Sequence, residues 1–108
     1  MAGKFYLVVK ADIGEGTNRD AFDHWYATDH MPKALTSMGA EKGWRFWSAS
    51  EPRTHYAVYR FADRERPTAI KATADGPGTP NTLEFNRAWP GVPRTREVLE
   101  IFDEVRPG

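Results

Sequence analysis

The residues best able to do chemistry in this chain crowd into one stretch, Phe22-Asp23-His24-Trp25-Tyr26-Ala27-Thr28-Asp29-His30-Met31-Pro32. Tyr26 and His30 are four apart, so on a helix they share a face with Phe22 and set an imidazole beside a phenol. A histidine titrating near neutrality next to a hydroxyl, inside an aromatic-lined cavity, suits general acid or base work on an enolisable or phenolic substrate. The plainer alternative is a histidine at a helix end that caps carbonyls or meets the C-terminal dipole. Pro32 loosens the helix beside His30, which places His30 near a cavity and leaves Trp25 to the core.

Aromatic walls for such a cavity are expected on a central hairpin that carries Trp44, Trp47, Tyr56 and Tyr59. Aromatics bury large areas, so most of these serve core or interface. Those on one strand face could instead line a site for a flat apolar molecule, with Arg45 or Arg60 orienting a carboxylate or carbonyl oxygen. The candidate catalytic residues are therefore His30 and Tyr26, and the candidate substrate-binding residues Phe22, Trp44, Trp47, Arg45 and Tyr59. No metal is expected: His24 and His30 are six apart, the chain has no cysteine, and His55 or Asp29 would have to be recruited by the fold. Haem ligation through His30 or His55 has no motif behind it, and no cofactor is expected. Gly76-Pro77-Gly78-Thr79-Pro80 is a rigid turn and no phosphate cradle, because its prolines remove backbone donors.

Composition narrows the partners. The 108 residues carry 15 Lys+Arg against 15 Asp+Glu, which argues against nucleic acid, whose binders usually hold a basic surplus. Mean hydropathy is −0.66, and the apolar run Phe5 to Val9 is far short of the roughly 20 residues of a membrane span. No basic segment leads into a long apolar one at the start, so a cytoplasmic setting is the default expectation. One domain over residues 1–108 is expected from the length.

The elements that must position these residues follow from periodicity. Phe5-Tyr6-Leu7-Val8-Val9 is apolar on both faces, as in a strand covered on both sides. Thr17 with Asp20 has the form of a capping box for a helix from about Asn18 to Asp29, which bends or restarts near His30-Met31 and ends by Gly39. A second strand over Lys42 to Ser50 turns at Glu51-Pro52-Arg53 into a third, His55 to Phe61. Asp63 caps a second helix reaching Ala74, and the last strand is expected over Glu97 to Val105. The connection from Asp75 to Thr95 is long, with one expected helical turn through Phe85. Loops beyond about 15 residues are usually functional or interfacial, and Phe85 and Trp89 are buried-type residues. Strand, helix, strand, strand, helix, strand is the ferredoxin-like split βαβ order: an α+β domain, one antiparallel sheet with helices on one face. The bare face should be apolar enough to want a second sheet, and a homodimer is the simplest cover.

Trp25-Tyr26-x-x-x-His30-x-Pro32, after a first strand and before a Gly-marked turn and an aromatic strand, resembles the WYxxxHxP signature of EthD-like and related dimeric α/β-barrel proteins. The likeness runs from about Phe5 to Val105, and Tyr56 to Phe61 resembles the family's third strand; Trp25, Tyr26, His30 and Pro32 are the residues that match the signature. The resemblance implies the dimeric ferredoxin-like fold. Its members include cofactorless monooxygenases, lactone isomerases, polyketide cyclases, haem-degrading enzymes and dye-decolorising peroxidases. The functional expectation is a small cofactor-independent enzyme of monooxygenase, isomerase or cyclase class, acting on an apolar aromatic or polyketide-like molecule by His30-assisted proton transfer that follows a titration near neutral pH. A non-catalytic binding or interaction module of the same fold is the alternative, and a haem-dependent enzyme a further one.

Overall fold

The computed structural model describes residues 4–108. Phe5–Asp12 form β1, the strand that holds the sheet together. It pairs antiparallel with β3 (Thr54–Phe61) on one side and with β4 (Arg94–Glu100) on the other, and β2 (Lys42–Trp47) pairs antiparallel with the free edge of β3. The order is β2-β3-β1-β4. Between β1 and β2 run α1 (Arg19–Trp25), a wide π turn (Tyr26–His30) and α2 (Met31–Met38); between β3 and β4 run α3 (Glu65–Asp75) and α4 (Pro80–Ala88). The architecture is α+β with the expected ferredoxin-like order, and α4 is added in the long connection.

Strand alternation sorts the faces. Leu7, opposite Tyr59 and Val98, and Val9, opposite Ala57 and Arg96, point with Phe61 into the helix-covered side. Leu7, Ala57, Tyr59 and Phe61 are each at most 1% exposed, and Phe22 and Tyr26 close over them from the first helical segment. The other sheet face carries Tyr6, Val8, Trp44 and Val58, half-buried, and Phe46, 51% exposed.

Local signals explain the helix ends. The cap of α1 is Asn18, whose Oδ1 accepts from the Ala21 N–H at 2.9 Å. It displaces the expected Thr17, whose carbonyl is taken by the Arg53 guanidinium. Gly39, at φ +68, ends α2 in the left-handed conformation that glycine adopts without strain. Gly43 on β2 lets α2 sit close: a Cβ there would meet Met31 Cε at 2.6 Å and Leu35 Cδ2 at 2.9 Å.

The break near His30-Met31 takes the form of the π turn. In an unbroken α-helix Pro32 would leave the Thr28 carbonyl without its donor and press its ring against it. The backbone instead inserts one residue, and the Met31 N–H donates to the Tyr26 carbonyl, five residues back.

Besides shifts of one to three residues at β1, β3 and α3, three boundaries differ from the sequence pattern for visible reasons. β2 ends at Trp47 and not Ser50, because Ser48 N–H turns to the Thr54 carbonyl to start the hairpin loop. The helical turn expected through Phe85 is a helix of nine residues, opened by Thr79, whose Oγ1 accepts from Thr82 N–H at 3.1 Å. The last strand runs Arg94–Glu100 and not Glu97 to Val105. Its register against β1 is fixed by Ala11 opposite Arg94 and Phe5 opposite Glu100, and residues 101–108 have no regular structure.

Phe22 is fully buried and its ring lies within 6 Å of those of Tyr26, Trp47, His55, Phe85 and Trp89. Phe22→Ala should lower unfolding free energy by about 3–5 kcal/mol in a denaturant titration, whereas Trp25→Ala, half-buried, should cost less. Equal losses would place the centre of the core elsewhere.

Candidate active site

A cleft of about 220 Å³ opens between the sheet and the helices. Its floor is Val9 and Tyr59 on the sheet, and one wall is Tyr26 and His30 from the π turn. Met38 of α2 with Ile70 and Ala74 of α3 supplies apolar surface; Thr79, Asn81 and Thr82 at the start of α4 and Arg94 and Arg96 of β4 supply the polar groups. The exposed residues Ser37 and Pro80 stand at the mouth.

The π turn decides how His30 is held. A turn closed by a bond five residues back brings the fourth and the fifth preceding residues against the same side chain. The imidazole stacks on Trp25, centroids 4.8 Å apart at 17°, and meets Tyr26 edge-on, 4.8 Å at 70°. His30 is 4% exposed, and no described residue gives its imidazole a hydrogen bond. Burial, and then the nearby Arg94 guanidinium, lower its pKa from 6.5 to about 4. The imidazole is thus neutral in ordinary buffers. It does not titrate near neutrality, contrary to the sequence expectation, because no carboxylate stands close enough to offset its burial: Asp29, the acid that favours the charged form, is paired with Lys33 at 3.1 Å.

Tyr26 and Tyr59 form a phenol pair, hydroxyl to hydroxyl at 3.5 Å. Burial raises both pKa values, Tyr59 well above 10, so both stay neutral hydroxyls. Arg94 lies over the Phe85 ring at 3.6 Å, and its Nη2 donates to the Thr82 carbonyl at 3.3 Å and to Asn86 Oδ1 at 3.0 Å. Burial lowers its pKa to about 10, which leaves it charged at neutral pH. Arg96, beside it on the same face, is paired with Asp75 at 3.1 Å.

Of the candidates read from the sequence, His30, Tyr26 and Tyr59 meet at the cleft. Phe22 is sealed behind Tyr26, its ring 5.6 Å away. Trp47 and Arg45 belong to a second cluster, where Asp23 Oδ1 accepts from Trp47 Nε1 at 2.7 Å and from Arg45 Nη2 at 2.5 Å. Arg45 Nε also donates to His55 Nε2 at 3.2 Å. These bonds hold the Asp23 carboxyl below its usual range, the indole contributing most. Trp44 lies on the opposite sheet face, against Tyr6 and near the Lys42 and Arg60 cations; Arg60 is paired there with Glu41.

Among the described residues no three His, Asp or Glu side chains gather as a metal site. His55, 1% exposed and engaged by Arg45, is sealed, so His30 is the imidazole a molecule in the cleft can meet.

No protein-family model and no curated protein matches the chain. Solved structures do. An EthD-like protein from Ralstonia eutropha is similar at 15% identity with a TM-score of 0.67, over 97% of each chain. The chain has the ferredoxin-like fold of the EthD-like proteins. An ethyl tert-butyl ether D (EthD) family protein from Bacillus halodurans matches at 16% identity and a TM-score of 0.62, over 91% of this chain and 98% of that one. A dimeric ferredoxin-like protein from an uncultured marine organism matches at 21% identity and a TM-score of 0.58, over 95% and 99%.

On this EthD-like scaffold the sequence reading missed Arg94, Arg96 and the first turn of α4. Two arginines at inward strand positions break the apolar alternation that marks a strand, so Arg94 read as loop. Thr79 followed by Pro80 is a cap and first-turn proline, the signal that would have found α4.

Burial lowers His30 and His55 alike, each from 6.5 to about 4. Between those values the unfolded chain binds more protons than the folded one, so their contribution is whole above pH 6.5 and is lost as pH falls toward 4, by up to about 3 kcal/mol per histidine. The melting temperature should therefore drop across that window, and His30→Gln should remove part of the drop. Asp23 and Asp75, held below 3.8, add their losses only at lower pH. A flat profile down to pH 4 would contradict the burial of both imidazoles.

Proposed function

We propose that the cleft binds a planar, largely apolar small molecule and that His30 exchanges a proton with it, assisted by the Tyr26 hydroxyl, with no cofactor. The observation that carries this reading is a neutral imidazole without a hydrogen-bond partner among the described residues, at the wall of an apolar cleft and edge-on to a phenol. A histidine whose task was to cap backbone carbonyls would be spent on them.

The chemistry follows from the environment. A neutral imidazole has a lone pair with which to take a proton. The imidazolium so formed is disfavoured by burial and by Arg94, which makes His30 a weak base that returns its proton readily. A base this weak takes the proton of a phenol or an enolisable dicarbonyl only uphill, so the oxygen left behind must be stabilised as its charge develops. Removing that proton is the common first step of oxygenation, isomerisation and cyclisation of such compounds. The Tyr26–Tyr59 pair offers a neutral donor to an oxygen that gains charge as the proton leaves. Phe22, Trp47 and Arg45 support the site from behind Tyr26. The similarity of the fold to EthD-like structures is consistent with an enzyme but carries no reaction.

We further propose that the working form is a homodimer joined through the open sheet faces. That face carries Tyr6, Val8, Trp44 and Val58, with Phe46 and Leu99 at 51% and 44% exposure, and a structural neighbour is itself described as dimeric. Light scattering at micromolar concentration should give twice the chain mass, through an interface above about 1,000 Å² in total; a monomer would refute it.

For catalysis, planar β-dicarbonyl and naphthol compounds should undergo α-deuterium exchange or tautomerisation faster with the protein than without it. His30→Ala should reduce that rate about 10²- to 10⁴-fold, and Tyr26→Phe less. The wild-type rate should stay level from pH 6 to 8, because His30 titrates at about 4. Binding without any His30-dependent rate would leave a ligand-binding module in place of an enzyme.

A further inference from the structure

Arg94 occupies an inward position of β4, opposite Ala11, where a strand in this fold is expected to bury an apolar side chain. A guanidinium drawn partly out of water is costly unless an anion and several acceptors replace the hydration it loses. The neighbouring cases meet that condition: Arg96 is held by Asp75 and Arg45 by Asp23. Arg94 does not. Among the described residues no carboxylate lies within ion-pair distance of it, and its hydrogen bonds go to neutral oxygens, the Thr82 carbonyl and Asn86 Oδ1.

The geometry leaves donors over. Both bonds leave from one terminal nitrogen, so the second terminal nitrogen and Nε find no acceptor among the described residues, and neither is sealed from solvent. Arg94 lines the same cleft as His30. A guanidinium presents its donors as a planar fork that fits a carboxylate with two parallel bonds. The remaining walls, Val9, Met38, Ile70 and Ala74, suit a flat carbon skeleton.

We infer that the natural ligand is an aromatic or alicyclic carboxylic acid, its carboxylate held by Arg94 and its ring body lying toward His30 and Tyr26. This rests on the reading of the cleft as a ligand site and names the class of molecule it takes. The bound carboxylate supplies the counter-charge that the fold itself does not give Arg94. The competing account is that Arg94 merely clamps α4 to β4 through Thr82 and Asn86, and the two differ in what they predict for a ligand's head group.

The test is a matched pair of probes, 2-naphthoate and 2-naphthamide, alike in shape and different in charge. Their affinities are measured by calorimetry and tryptophan fluorescence for the wild type, Arg94→Gln and Arg94→Lys. The wild type should bind 2-naphthoate about ten- to a hundredfold more tightly than the amide. Arg94→Gln should bring the two affinities together by losing most of its binding to 2-naphthoate, and Arg94→Lys should keep part of the preference. Should Arg94→Gln fail to fold, the wild-type preference and its reduction in Arg94→Lys decide the matter. Equal affinities in the wild type, or a preference that survives Arg94→Gln or is undiminished in Arg94→Lys, would overturn the assignment while leaving the cleft a site for neutral ligands. If the wild type binds neither probe, the cleft reading falls, and this one with it.

Discussion

Pro32 cannot donate a backbone hydrogen bond, and the wide turn that accommodates it sets how Tyr26 and His30 stand toward the cleft. The Met31 N–H on the Tyr26 carbonyl closes that turn. Without the inserted residue, the helical phase of α1 would run unchanged into α2, and His30 would meet one neighbour on its face where it now meets two, Trp25 stacked and Tyr26 edge-on. The turn costs regular helix bonding and is retained at the place where the cleft needs an imidazole held flat. These two contacts and a third with Phe85 of α4, edge-on at 5.7 Å, fix its ring plane and leave its nitrogens uncommitted.

Tyr26 stands between two polar groupings of opposite character. On one side is the cleft, where His30 is neutral and Arg94 lacks a carboxylate. On the other is a closed set, Asp23 with Trp47 and Arg45, and Arg45 with His55, in which the guanidinium has both an anion and an imidazole acceptor. The closed set holds the Tyr26 ring through His55, 4.5 Å away, and through the Arg45 guanidinium at 5.6 Å. His55 and His30 thus have lowered pKa values for the same leading cause, burial, and different standing in the molecule. One is a strut; the other faces open space.

The sheet divides the aromatic content by the same logic of alternation. Residues of one strand parity fill the space beneath the helices, and those of the other, Tyr6, Trp44 and Tyr56 among them, lie on the uncovered face. Trp44 and Trp47, three residues apart, therefore have unrelated roles, one at an open apolar surface and the other donating to Asp23. A short chain with so much aromatic surface on both sides of one sheet is poorly served by its own helices alone.

Periodicity in the sequence was sufficient for the order of the four strands and of every helix but α4, because the doubly apolar run of β1, the alternation of β3 and the helical spacing of Phe22, Tyr26 and His30 are local patterns set by backbone geometry. It also determined that Tyr26 and His30 touch, since residues four apart share a helix face, and that the helix breaks near Pro32. What it left undecided depends on residues far apart in the chain. The end of β4 is set by its register with β1. The burial that keeps His30 neutral and the lack of a carboxylate near Arg94 arise only when α3, α4 and β4 close over the first helical segment. Which of Phe22, Trp44, Trp47, Arg45 and Tyr59 reaches the cleft was likewise a tertiary matter: parity assigns a side chain to one face of a sheet, but only the packed helices decide where on that face a cavity remains.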